Sequence, residues 1–381
     1  MYYYVQKAIR CDNEWPLYYF PTQWINFYFF FRARSVLHYT GLLQGLILIL
    51  ILLLIIAPVL VRVAESFHLE PLARTIACIG YIWMAFVFFF FFLSVSLELI
   101  RALHKLIDPS ASVVTLKTAS FWLSVILSFV LVVYGYIDAG RIRVKHLEIK
   151  TQQVLPENGK LRIVQISDVH VGLIIRGDSL TPILEAVKQA NPDILVSTGD
   201  LLDGELDNII QDAAQFAAIQ ARYGKFAVLG NHEYYAGLDR SLAFTKAAGF
   251  DLLRDDVRHA ASITIFGEDD ITGRRSGNAP EKESFKKALS EKHNGFVLLL
   301  KHQPHIQRGA NFNLQLSGHT HGGQLFPFGL LVKIYFPKIY GLHSLGENKL
   351  LYISRGTGTW GPPVRVFAPP EITVIDLIGK K

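Results

Sequence analysis

Three stretches of this chain carry no charged residue: Gly41–Val61, Ile76–Leu97 and Ala119–Ile137. Each is long enough to cross a hydrocarbon layer about 30 Å thick, which takes roughly 20 apolar residues. Charges bracket all three, with Arg34 and Arg62 around the first, Arg74 and Glu98 around the second, and Lys117 and Asp138 around the third. Lipid offers no partner for a bare N–H or C=O, so only a helix satisfies such a stretch internally, and three transmembrane helices are expected. Buried core helices of a soluble bundle are the competing reading, and three of them in one region would be unusual. A fourth uncharged segment, Trp15–Phe31, is rich in aromatic residues but holds Pro16 and Pro21. It reads as a fourth span or half-span, with an interfacial hairpin as the alternative. No small-residue cleavage site follows it, so a cleavable signal peptide is not expected.

These stretches account for the composition. The chain has 381 residues, 51% of them hydrophobic, and a mean hydropathy of +0.29. The apolar excess lies before about Asp138, which divides the chain into a membrane domain of residues 1–137 and a globular domain of residues 138–381. The two cysteines, Cys11 and Cys78, both precede that boundary, so no disulfide framework holds the second domain. A net charge of +6 suits work beside anionic head groups, and equally a plain basic surface. Lys and Arg form no dense cluster, and nucleic acid is not an expected partner. The positive-inside rule does not decide orientation. With three spans the basic excess lies opposite the second domain, and with four, Lys7 and Arg10 change sides and reverse it.

In the second domain, apolar runs of strand length recur at Leu161–Ser167, Asp193–Thr198, Lys225–Leu229, Phe296–Leu300 and Asn313–Leu316. Helical patterns intervene. One is N-capped by Ser179 and runs through Ile183, Leu184 and Val187 to Ala190; another covers Asn208–Arg222. Strands alternating with helices predict an α/β layered fold, with sites in the loops beyond the carboxyl ends of strands.

Those loops carry the chemistry. The five runs are followed in turn by Asp168-Val169-His170, Gly199-Asp200, Gly230-Asn231-His232-Glu233, Lys301-His302 and Gly318-His319-Thr320-His321. Taken singly, Asp-x-His or Gly-Asp marks a turn or cap far more often than a ligand pair. Five such blocks in order, each at a strand end, are not what turn chemistry alone produces. Carboxylate, imidazole and amide oxygen without thiolate suit Mn, Fe or Zn ions. Two ions about 3.5–4 Å apart can clamp the attacking and leaving oxygens of an in-line displacement at phosphorus.

With these residues in place, the chain resembles the calcineurin-like metallophosphoesterase superfamily over about Leu161–Leu377. The resemblance implies a four-layer α-β-β-α sandwich behind the helical transmembrane region, and a metal-dependent hydrolase of phosphoester or anhydride bonds. It implies two divalent ions. Asp168, His170, Asp200 and His321 would hold one; Asp200, Asn231, His302 and His319 would hold the other, with Asp200 shared. His232 would stand near the leaving group, as general acid or as a stabiliser of developing charge. Ser354-Arg355-Gly356-Thr357-Gly358 and the proline-rich tail around Gly361-Pro362-Pro363 and Pro369-Pro370-Glu371 are similar to the bacterial membrane-associated branch, which includes UDP-2,3-diacylglucosamine hydrolases. That implies an inner-membrane protein, a lipid-linked phosphate substrate and a catalytic domain on the cytoplasmic face. Arg355 and Arg365 are candidates for phosphate contact or for structural roles, and Glu233 for orienting a ligand or for the surface. Leu325–Leu342 is apolar and aromatic with only Lys333 and Lys338 as charges. It is expected either to flank the site and dip toward the membrane interface, or to form a buried hairpin at the sandwich edge.

Overall fold

The computed structural model describes residues 15–39, 41–107, 113–203, 210–280, 282–307, 309–346 and 348–380. The chain divides into two compact units. One runs to Ile137 and takes in Gly361–Val364; the other comprises Asp138–Trp360 and Arg365–Lys381.

The first unit is helical: α1 (Trp15–Leu37), α2 (Gly41–Ile55), α3 (Ala57–Ser66), α4 (Glu70–Ile107) and α5 (Val113–Ala139). Among the described residues, two helices are long and apolar enough to cross a membrane, α4 and Leu116–Ala139 of α5. At 1.5 Å per residue, α4 measures about 57 Å and outruns the hydrocarbon layer. The expected span Gly41–Val61 is not one straight helix. It breaks at Ile56, where α2 and α3 meet at a 58° bend, and the two count as one broken crossing at most. Pro58 explains the break, because it has no N–H to donate and its ring crowds the preceding turn. The interfacial hairpin considered for Trp15–Phe31 is also overturned, since α1 is a single helix through Leu37. Aromatic rings join the helices. Phe29 of α1 sits edge-on to Trp83 and Phe90 of α4, at 5.2 and 4.9 Å, and Phe90 meets Phe121 of α5 at 5.7 Å. Some polar groups here are paired: Trp83 Nε1 donates to Asn26 Oδ1 at 2.8 Å, and Arg32 forms an ion pair with Glu98. Such packing and pairing hold helices where lipid removes the hydrophobic drive for association.

The second unit is an α/β sandwich. Besides a short parallel pair, Val171–Gly172 with Leu202–Asp203, its strands are β1 (Arg143–Val154), β2 (Lys160–Ile166), β3 (Ile194–Ser197), β4 (Lys225–Ala227), β5 (Asp251–Leu252), β6 (Asp256–Ala260), β7 (Ile263–Gly267), β8 (Phe296–Leu300), β9 (Leu314–Ser317), β10 (Gly341–Gly346), β11 (Lys349–Ile353) and β12 (Glu371–Lys380). One six-stranded sheet has the order β1-β12-β2-β3-β4-β5, the other β10-β11-β9-β8-β7-β6. Both are mixed. β2, β3 and β4 are parallel, while β12 runs antiparallel to β2; β7, β8, β9 and β11 are parallel, with β6 and β10 as antiparallel edges.

Strand alternation builds the layers. In β8, Phe296, Leu298 and Leu300 enter the core between the sheets, against Ile163 and Val196 of the first sheet. Val297 and Leu299 point the other way, onto Phe285 and Leu289 of the helix α10 (Glu283–Ser290). On the far side, α6 (Thr181–Ala190) buries Ile183, Leu184 and Val187. A strand covered on both faces needs an unbroken apolar run, which Phe296–Leu300 is. The result is helix, sheet, sheet, helix, as the resemblance implies.

All five expected strands form. The helix expected from Ser179 starts later, at Thr181, with Pro182 in its first turn; Ser179 lies in a 3₁₀ turn, where its hydroxyl accepts from Arg176 N at 2.7 Å. The helix expected over Asn208–Arg222 is α7 (Ile210–Ala217), and Asn208 lies outside the described residues.

Candidate metal centre

The parallel strands β2, β3 and β4 of one sheet and β8 and β9 of the other all end at one edge of the sandwich. The loops that follow tie themselves together: Asp168 N donates to Gly199 O, His170 N to Asp200 O and Gly318 N to His302 O, at 3.0, 3.0 and 2.9 Å. Asp168, His170, Asp200, His319 and His321 all have left-handed backbones, with φ of 52, 54, 51, 71 and 50°. Such residues cost about 1–3 kcal/mol each and persist only where surrounding structure overdetermines them. Two glycines permit the close approach. A Cβ on Gly230 would overlap the Asp200 carboxylate, and one on Gly318 would overlap Ser167 and Asp168.

The structure brings all seven expected ligands together. The donor atoms of Asp168, His170 and His321 lie within 4.8 Å of one another, as do those of Asp200, His302 and His319, and those of His170, Asp200 and His232. Asp200 Oδ2 stands between the first two groups, 3.1 Å from His302 Nε2 and 3.9 Å from His170 Nε2. Asn231 Oδ1 is 3.2 Å from His302 Nε2, and so is His319 Nδ1. All except His319 are buried, and His319 is half-buried.

The electrostatics differ from ring to ring across the clusters. Burial pushes His170 down to about 4 and His319 down to about 3, and holds His321 well below the usual imidazole range. These rings are neutral and have lone pairs to offer. Burial opposes charge on His302 as well, but Asp200 outweighs it and the ring is held well above its ordinary value. For Asp200 burial is likewise opposed and overcome, chiefly by His302, so its carboxyl stays well below the carboxylate range. Burial pushes Asp168 up to about 6. His302 Nδ1 lies 2.8 Å from Thr198 O, which fixes the proton there and turns Nε2 toward Asp200 and Asn231. His170 Nδ1 is buried without a hydrogen-bond partner. A pocket this rich in oxygen and imidazole acceptors, and free of thiolate, fits divalent ions of the Mn, Fe or Zn type. His321 requires an adjustment. Arg365 Nη2 lies 3.2 Å from its Nδ1, and a guanidinium only donates, so the neutral ring keeps its proton on Nε2, 3.4 Å from Asp168 Oδ1. Offering a lone pair at that position requires the ring to turn or the Arg365 contact to loosen.

The remaining expected residues sort themselves by contact. His232 stands beside the cluster, its ring 4.6 Å from that of His170, and its Nδ1 is 3.0 Å from Asp203 Oδ1. Burial opposes its charge, yet Asp200 and Asp203 raise it to about 9. Asp203 was not anticipated; its spacing three residues after Asp200 is the signal that could have found it. Glu233 is neither a surface residue nor in contact with an imidazole. It is 1% exposed and accepts from the N–H groups of Asp200, Leu201, Leu202 and Gly230, clasping two loops. Arg365 is fully buried and donates to the carbonyls of Gly358, Arg355 and Ala368, which makes it a structural clamp. Arg355 lies over the Tyr340 ring at 4.3 Å and pairs with Glu371 at 3.7 Å. The glycine-rich tail braces the first loop, with Thr357 N donating to Ser167 O at 2.7 Å and Gly358 N to Asp168 O at 2.9 Å. Phe328–Tyr335 is a helix, α11, without a single buried residue, so a buried hairpin over that segment is overturned.

The chain is similar to known proteins. Residues 161–323 match the family model described as calcineurin-like phosphoesterase. An uncharacterized metallophosphoesterase of Aquifex aeolicus is 38% identical over 254 residues, covering 65% of this chain and 96% of that protein. One of Campylobacter jejuni is 37% identical over 268 residues, covering 68% and 70%. A "transmembrane protein with metallophosphoesterase domain" of Danio rerio is 30% identical over 316 residues, covering 79% of this chain and 72% of its own.

Proposed function

The chain belongs to the calcineurin-like metallophosphoesterases, hydrolases of phosphoric esters that use divalent metal ions, and from that premise we propose a two-metal enzyme anchored in the inner membrane and acting on a lipid-linked phosphoester or pyrophosphate. In this reading residues 1–137 are the membrane domain and residues 138–381 the catalytic domain, on the cytoplasmic face. Asp168, His170, Asp200 and His321 would hold one ion; Asp200, Asn231, His302 and His319 would hold the other. The observation that carries the reading is the single carboxylate oxygen of Asp200 set between two imidazole-rich clusters.

When bound, the ions supply positive charge at the phosphoryl oxygens and acidify water for attack in line with the leaving group. The chain's residues do the rest. Asp200 is held in register by its own Oδ1, which accepts from His232 N at 2.9 Å. His232 keeps its proton at neutral pH because Asp203 and Asp200 stabilise the imidazolium. It passes that proton to the ester oxygen as the P–O bond breaks, so the leaving group departs neutral. Asp203 holds Nδ1 and so aims Nε2. Glu233 keeps both loops in place through backbone N–H groups.

Two features support a lipid-linked substrate such as UDP-2,3-diacylglucosamine: crossing helices in the same chain, and an exposed apolar helix next to the clusters. The test is hydrolysis by the detergent-solubilised protein with Mn²⁺, comparing that lipid with a soluble phosphodiester and using Asp200→Ala as the blank. Lipid cleaved much faster, with an inactive variant, supports the substrate. Turnover of the soluble ester alone keeps the enzyme class and removes the lipid assignment, leaving a broad phosphodiesterase. Metal binding without any turnover removes the catalytic reading altogether.

A further inference from the structure

Apolar side chains in the unit that holds the clusters are mostly packed away, and α11 is the clearest departure. Leu330 is 57% exposed, Ile334 72% and Tyr335 79%, with Phe326, Leu331 and Tyr340 exposed beside them. One exposed leucine needs no explanation, whereas a contiguous patch does. Leu330 and Ile334 are four residues apart, as are Leu331 and Tyr335, so the four share one face of the helix. The opposite face is seated. Gly329 closes against Gly323, whose Cβ would overlap it, and Phe336 just past the helix sets its ring edge-on to His319 at 5.2 Å and tilted to His305 at 5.1 Å. Thr320 Oγ1 donates to Ile339 O at 2.6 Å, tying the segment to the Gly-His-Thr-His loop. The patch is therefore a fixed part of the site's rim.

Its chemistry matches one kind of occupant. Between Leu325 and Leu342 the only charges are Lys333 and Lys338, with no acid to repel anionic head groups. Tyr335 and Tyr340 are amphipathic rings of the sort that settle at head-group depth. The same chain has helices able to cross a bilayer, and only three residues separate the end of α5 at Ala139 from the start of β1 at Arg143. The catalytic unit is thus tethered at a membrane, and the bilayer is the apolar phase always within its reach. We propose that α11 is an interfacial docking helix that sinks Leu330, Leu331, Ile334 and Tyr335 into the boundary between head groups and acyl chains, a depth of about 5–10 Å. Docking sets the rim of the His319 cluster at the membrane surface, and it holds whether the substrate is a lipid or a soluble ester.

The experiment uses the full chain in nanodiscs containing phosphatidylglycerol, on a Cys11→Ser, Cys78→Ser background. An environment-sensitive fluorophore is attached at Ile334→Cys and, as control, at Glu283→Cys, whose native side chain is 84% exposed on α10. Docking predicts blue-shifted emission at 334 that doxyl-labelled lipids quench severalfold, with neither effect at 283. Emission at 334 equal to that at 283 overturns the proposal. So does a blue shift that doxyl lipids leave unquenched, which would mean that protein, such as a second copy, covers the patch. Leu330→Glu with Ile334→Glu in the labelled-Tyr335→Cys chain should abolish the quenching while hydrolysis of a soluble phosphodiester, the check on folding, stays within twofold. Quenching that survives both glutamates also overturns it.

Discussion

In the proposed mechanism the proton donor rests on one hydrogen bond, between His232 Nδ1 and Asp203 Oδ1. A general acid matters most when the leaving oxygen is a poor one. His232→Ala should therefore lower kcat by about 10²–10⁴ on an alkyl phosphoester. On a nitrophenyl ester, whose leaving group departs unaided, the loss should be much smaller. An equal loss on both esters would assign His232 to holding the cluster instead. Glu233 acts at the same scale but on the backbone. Glu233→Gln leaves some of its N–H partners without an acceptor, and each buried group so orphaned costs about 1–3 kcal/mol. The variant should melt several degrees lower and bind Mn²⁺ more weakly, because the Asp200 loop loosens; calorimetry and metal titration read the two effects separately. Neither role could be read from the residue's identity. Gly230-Asn231-His232-Glu233 is legible as a block with a histidine to spare, but which atom Glu233 accepts from depends on where the Asp200 loop comes to rest.

Among elements, the antiparallel pair β2 and β12 carries a cross-strand ion pair, Arg162 opposite Asp376, with Nε to Oδ1 at 2.8 Å. The Arg162 hydrogen bond holds the Asp376 carboxyl below the usual carboxylate range. A carboxyl depressed in the folded state adds stability above its unfolded value of about 3.9 and loses it as pH falls through the folded one. Arg162→Gln should thus lower the melting temperature at pH 7, and the gap to the parent should narrow between pH 5 and pH 3. A gap that stays constant over that range would mean that packing, not charge, sets the effect. The strands themselves were legible from apolar runs. Less visible was the break at Ile56, although Pro58 was in plain sight: an uncharged stretch reports that a segment can sit in lipid, and says nothing of whether it stays straight once Pro58 has removed a hydrogen bond.

For the whole molecule, the buried clusters make stability depend on metal. His170 Nε2 and His321 Nε2 lie within hydrogen-bond distance at 3.1 Å, with Asp168 beside them, so the donor atoms of three side chains converge on one small space. Ions that bind only the folded state stabilise it by RT ln(1 + [L]/Kd), about 2.7 kcal/mol at a hundredfold excess over Kd. Chelation should therefore abolish ester hydrolysis and lower the melting temperature of the second unit, and added Mn²⁺ should restore both. An unchanged melting temperature would mean that the clusters are satisfied without metal.

Two things about this protein follow from its amino acids in order. Charge-free stretches select helices in lipid because the backbone has no other partner there. Asp, Asn and His after each apolar run give a candidate ligand set, because strand ends at one sheet edge are where short polar side chains can converge. Tertiary structure alone decided the rest. Arg365 and Glu233 are clamps because burial leaves them mostly backbone groups to meet, α11 is bare because its other face is already seated on Gly323, and Asp203 meets His232 because the fold carries it there. Each depends on contacts between residues far apart in the chain, and local sequence does not record those contacts.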